Sequence, residues 1–187
     1  WRLRPLAVAE PPAASDPGWS GDPAALFPSA RRAAEDVPPA PPAAPEVWFR
    51  RLAFVLTGLP PRPEEMDSFL RDHADDAAAA KQKWTDALLN SPGYGERMAR
   101  HWMDGVRYTD TFGGEWDIPV KGSWEYRDYL IRAFNDDIGF DRFLIEQLAG
   151  DLLSDTRIHE ETGSNETLVA PAFFHLGEHR HASSLMF

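Results

Sequence analysis

The sequence predicts an all-α fold: an irregular multi-helix domain over residues 46–187, preceded by an extended Pro/Ala-rich arm over residues 1–45. Two observations carry this expectation. Apolar residues recur at the i, i+3/i+4, i+7 spacing of a helical stripe in every segment beyond Glu46, and no stretch alternates with the period of two that marks a half-buried strand. The residues between those segments are Pro, Gly, Ser, Asp and Asn, which begin and end helices.

Eleven of the seventeen prolines fall between Trp1 and Pro45, in runs such as Pro38-Pro39-Ala40-Pro41-Pro42. Such a segment favours polyproline II and builds no core of its own. Alone it reads as a disordered linker. Laid on a partner it becomes an ordered strap, and Trp1, Leu3, Leu6, Trp19, Leu26 and Phe27 are spaced as its anchors.

Glu46 to Leu59 reads as the first core helix, with Trp48, Leu52, Val55, Leu56 and Leu59 on one stripe. Gly58 is its expected C-cap, and Pro60-Pro61 forbids continuation. Pro63-Glu64-Glu65 opens a second helix with acids in its first turn, burying Met66, Phe69 and Leu70. Asp75-Asp76 begins an alanine-rich helix to about Asn90, around Trp84 and Leu88.

Ser91 to Asp117 is dense in ionisable groups and is the stretch around which the rest is organised. Ser91 is the expected N-cap and Pro92 the first helical residue; Met98, Ala99, Trp102 and Val106 form the inward stripe. The helix is expected to end near Thr109–Phe112, ahead of Gly113-Gly114, and to be the most buried in the protein. Ser123 caps a further helix through Asn135, with Trp124, either Tyr126 or Arg127, Leu130, Ile131 and Phe134 inward. Asp141 caps the next, with Phe143, Leu144, Gln147 and Leu148 inward before Gly150. Asn165 caps a last helix holding Leu168, Val169, Phe173 and Phe174.

A chain of 187 residues with 43% hydrophobic content has enough length to bury a core. Its formal net charge of −11 argues against nucleic acid, whose phosphates it would repel. With no cysteine there is no disulfide, zinc thiolate or thioether-linked haem in these residues, and no cofactor is expected. No run of about 18 apolar residues is present, so no membrane span is expected.

Four patterns bear on chemistry. His101 and Asp104, three apart, share a helix face, and Asp110, Glu115 and Asp117 can fold back toward it. One imidazole with several carboxylates suits a divalent ion or an acid/base pair. The competing reading pairs those acids with Arg97, Arg100 and Arg107 in a buried structural network. His175-Leu176-Gly177-Glu178-His179 has the H-x-x-E-H spacing of a zinc peptidase class, but Gly177 interrupts the regular helix that chemistry needs. Asn165-Glu166-Thr167 is a formal glycosylation acceptor or simply an N-cap. Trp102, Trp116, Trp124, Tyr126 and Tyr129 form either a sugar-stacking platform or core.

The runs LAFVLTGLPPRPEEMDSFL, SPGYGERMARHWMDGVRYTDT and WEYRDYLIRAFNDDIGFDRFLIEQLAGDLL, in that order and spacing, resemble one family. It is the cytochrome c-associated domain of unknown function found in very large secreted proteins of planctomycetes and related bacteria. The resemblance covers roughly residues 48–176. It implies an extracytoplasmic setting, and the opening on Trp1 then points to a removed signal peptide or a missing anchor. In the family a Cys-x-x-Cys-His segment follows; these residues contain none, so haem chemistry is not implied.

Three functions compete: an accessory subunit strapped onto a larger assembly, a metal-dependent hydrolase, and a carbohydrate-binding module. The absence of cysteine and the arginines beside the acid–histidine cluster favour the first. The setting implied by the resemblance points to a membrane-bound respiratory or photosynthetic electron-transfer complex as host, with other protein subunits as partners.

Overall fold

The computed structural model describes residues 9–13, 22–113 and 117–176, so Trp1, Leu3, Leu6, Trp19, Trp116 and the candidate ligand Glu115 lie outside the described residues. The chain divides into two compact units, Trp1–Ala43 and Ala44–Phe187. In the first, Asp22 accepts a hydrogen bond from the Ala24 N–H at 2.9 Å and Pro23 supplies the first residue of helix α1, Pro23–Ala34. Part of the segment read as extended is therefore helical. Alanine and arginine favour a helix here, and Arg31 and Arg32 in the last turn suit its dipole. Pro28 removes one backbone donor without ending the helix. Residues 37–44 carry no helix.

In the second unit, α2 (Pro45–Thr57) ends as expected on Gly58, whose φ of +76° is the left-handed turn glycine tolerates best. Helix α3 (Pro63–Asp75) begins with Glu65 reaching back to the Arg62 N–H at 2.8 Å while also gripping the Arg62 guanidinium. Helix α4 (Ala77–Leu89) is capped by Asp76, which accepts from the Ala78 and Ala79 N–H groups. These three helices enclose a small aromatic core. Phe49 stacks on Phe69 at 4.5 Å and meets Trp84 edge-on at 5.1 Å. The Trp84 indole N–H donates to Asp72, which also binds Lys83.

Helix α5 (Pro92–Gly105) differs from expectation at both ends. The Ser91 hydroxyl caps no N–H; it turns back and donates to the Leu88 carbonyl at 2.7 Å. The helix stops at Gly105, and Arg107 adopts φ of +57°, which cannot continue it. The loop that follows is pinned by an isolated bridge between Thr111 and Pro119. Helix α6 (Ser123–Asn135) is capped by Gly122 at φ +79°, with Ser123 already inside the helix.

The most buried helix is α6, not α5. Tyr126, Tyr129, Leu130 and Ala133 of α6 form the larger core with Phe143 and Ala170, whereas α5 buries only Gly95 and Ala99 completely. The two helices cross at Gly95. A methyl group there would overlap the Ile131 carbonyl oxygen, and the Gly95 N–H instead donates to the Asn135 side chain at 2.8 Å.

Helix α7 (Phe140–Ala149) passes into a short 3-10 turn, Gly150–Leu152. Gly150 packs against the Thr167 carbonyl too closely for any side chain. A loop then folds on itself through a bridge between Ile158 and Asn165, with the Gly163 N–H donating to the His159 carbonyl at 2.8 Å near its tip. The Asn165 side chain caps α8 (Glu166–Val169), accepting from the Thr167 and Leu168 N–H groups, and a 3-10 segment, Ala170–His175, closes the described chain. The N-cap reading of Asn165 holds. Among the described residues there is no strand.

Candidate functional site

The acid–histidine residues of α5 do not converge. His101 is exposed, and Asp104, also exposed, pairs with Arg100 at 3.4 Å. Asp110 accepts from the Tyr108 hydroxyl at 2.6 Å and from Ser123 at 3.2 Å. Burial, and then the bond to Asp110, pushes the Tyr108 hydroxyl pKa up, so it remains a donor. Asp117 is exposed at φ +41°. Among the described residues, no group of three or more His, Cys, Asp or Glu side chains is placed to hold a metal ion. The arginine network expected beside it is reduced to the one exposed pair: Arg107 forms no ion pair among the described residues.

The buried polar network lies elsewhere, between α6, α7 and the loop after α7. The Glu146 side chain is completely buried, and its carboxylate is met from three directions. Arg157 donates from Nε to Oε1 at 2.8 Å and from Nη2 to Oε2 at 3.0 Å; Arg142 donates to Oε1 at 2.8 Å; the Tyr129 hydroxyl donates to Oε2 at 3.0 Å. Arg142 continues outward to Asp155 at 2.5 Å. Beside this set, the Trp102 indole donates to the Tyr126 hydroxyl at 3.2 Å, which donates to Gln147 Oε1 at 2.7 Å. Glu166, also buried, takes both its bonds from Arg132 on one oxygen.

Burial pushes the Glu146 carboxyl upward, but the hydrogen bonds and charge of Arg157 and Arg142 outweigh it and hold the group below the ordinary glutamate range. Burial also pushes the Tyr126 and Tyr129 hydroxyls well above the usual tyrosine range. Glu146 is thus an acceptor with its lone pairs engaged, a strut and not a proton carrier. Sequence reasoning missed this set. Arg142 and Glu146 are four apart on one helix, a readable pair, but Arg157 reaches them only through the fold.

Helix α7 buries two polar residues as a consequence. Its inward face carries Phe143, Glu146 and Gln147, while Phe140, Ile145 and Leu148 face solvent at 67%, 48% and 66% exposure. Leu152, one turn on, is 81% exposed. Phe140, Leu144 and Leu148 lie at intervals of four along α7, with Leu144 half-buried, so the outward apolar residues of the helix share one side, and Leu152 is exposed in the 3-10 turn beyond it. Phe143 and Gln147 lie inward as expected; Leu148, expected inward too, faces out because the hydrogen bonds of Glu146 turn the helix toward that residue. Trp124, Val55, Leu59, Leu168 and Phe174, also expected inward, are exposed as well.

Of the aromatic set, Trp102, Tyr126 and Tyr129 belong to the core or pack against it, and Trp124 stands on the surface. Of the six arm anchors, Leu26 and Phe27 are described: both lie on α1, Leu26 half-buried and Phe27 exposed. Glu178 and His179 of the H-x-x-E-H pattern lie outside the described residues, and His175 ends the final 3-10 segment. No described helix is long and apolar enough to cross a membrane.

The family model PSCyt2, described as a protein of unknown function (DUF1549), matches residues 26–186. The chain belongs to that family, the planctomycete cytochrome c-associated domain of unknown function. No curated protein and no solved structure matches it.

Proposed function

We propose that this domain is a non-catalytic, extracytoplasmic accessory subunit that docks onto a larger, membrane-bound electron-transfer complex. The observation that carries the reading is the rotation of α7, which spends its polar residues on the interior and presents Phe140, Ile145, Leu148 and Leu152 outward. A contiguous apolar stripe on a folded surface marks a contact surface. The membership of a cytochrome c-associated family supports an electron-transfer host by association. Residues 1–45 supply the strap, with Trp1, Leu3, Leu6, Trp19, Leu26 and Phe27 as anchors.

The test is made with the tagged chain expressed in its native host. The full chain is expected to co-purify with membranes that carry c-type haem absorption. Deleting residues 1–43, or replacing Leu148 by Ser, is expected to release it into the soluble extracytoplasmic fraction, still helical by circular dichroism. Recovery of the full chain alone, without haem-bearing partners, overturns the reading.

A further inference from the structure

We infer that the occupant of the α7 face is an amphipathic helix of a partner protein, apolar along its middle and basic at both ends. This rests on α7 being a docking face and adds the chemistry of what docks there.

The argument is one of charge. Carboxylates stand at each end of the stripe: Asp136, Asp137 and Asp141 at its start and Asp151 at its close, all exposed, with Asp155 beyond it already paired to Arg142. Residues 136–155 hold six acids and a single cation, Arg142, and that arginine is committed to Glu146 and Asp155. Residues 136–155 contain no lysine. The exposed apolar residues of α7, Phe140 to Leu148, span roughly 12 Å along the helix, from a rise of about 1.5 Å per residue, with Leu152 exposed in the turn beyond it. A helix of matching length laid along it buries its own apolar face, and lysines or arginines at its two ends meet the two acidic ends. An anionic lipid surface is disfavoured by the same charges, and a second copy of this chain would bring acid against acid.

The test uses the full chain and two synthetic 18-residue helical peptides with the same leucine stripe. One carries lysines at both ends, the other glutamates. Fluorescence anisotropy is expected to show the lysine peptide binding about tenfold or more tightly than the glutamate peptide, weakening as salt rises. Leu148→Ser and, separately, Phe140→Ser are expected to weaken it about tenfold. Asp141→Asn and Asp151→Asn should each cost about twofold to fivefold. If both peptides bind equally and Leu148→Ser weakens both, α7 docks but the charge inference is wrong. If neither substitution on the stripe changes binding of the lysine peptide, the docking face itself is wrong. Vesicle binding to anionic lipid, or dimerisation in sedimentation, lost on Leu148→Ser would put a membrane or a second copy in the place of the basic helix and overturn the inference.

Discussion

Arg157 holds Glu146 end to end, Nε on one carboxylate oxygen and Nη2 on the other, although the arginine comes from a loop and the glutamate from the buried face of a helix. The pairing is bidentate, the geometry in which a guanidinium binds a carboxylate most strongly. It ties the loop after α7 to the larger core, where hydrophobic contact alone offers the loop little.

Replacing Glu146 by Gln is therefore expected to be costly. The amide cannot accept from Arg157, Arg142 and Tyr129 as the carboxylate does, and two guanidiniums lose their counter-charge. Breaking a buried pair on one side costs about 3–5 kcal/mol. The partly open arginine side chains can recover some hydration, so about 3 kcal/mol is expected from urea unfolding. A loss under about 1 kcal/mol would show that the network does not bear on stability.

The same carboxylate sets an acid dependence. Its folded pKa lies below its unfolded one, so the stabilisation it brings is fully present above the unfolded value, about 4.3, and is lost as pH falls through the folded value. Below neutrality the unfolded chain takes up this proton first. Denaturant midpoints measured from pH 7 to pH 3 should fall for the native chain, and fall less for Glu146→Gln. Parallel curves would place the acid sensitivity elsewhere.

The helices were legible because their ends are written locally: Asp76, Asn165 and Gly58 act within one turn of themselves. Which side of a helix faces inward was less so. In α7 Phe143 and Gln147 were readable as inward, but the bond from Tyr129, seventeen residues away, and those from two arginines draw Glu146 inward and leave Leu148 outside. The arm was misread at α1 for a related reason: a high proline count concealed a run of good helix formers between Pro23 and Ala34. Of the candidate ligands, Asp110 is drawn to Tyr108 and Ser123 once α5 ends at Gly105, and Glu115 lies outside the described residues.

Gly95→Ala should be among the most damaging single-methyl changes. The added carbon meets the Ile131 backbone, which cannot swing aside as a side chain can, so α5 must lift off α6. A loss of about 2–3 kcal/mol is expected from overpacking at this crossing, read by thermal and urea unfolding. Gly105→Ala, with open space around it, serves as the control and should stabilise slightly.

His101→Ala should change stability by no more than about 0.5 kcal/mol, because the side chain is on the surface and away from the network. A loss of 1–3 kcal/mol, as a buried acid–histidine cluster would require, would show that the exposed placement is wrong. Chemical denaturation of the two proteins side by side decides it.

The loop closed by Ile158 and Asn165 has a use in protein engineering. Its base is fastened by the bridge and by Arg157, whose carbonyl also accepts from the Glu166 N–H at 2.8 Å, while Glu160 and Glu161 are exposed and a side chain added at Gly163 would meet nothing within 4 Å. Chain length at the tip is thereby uncoupled from the geometry below it. A peptide tag or fluorophore-accepting sequence spliced between Glu160 and Glu161 would ride on the domain without entering its core, giving a handle for locating this protein that leaves α7 unencumbered.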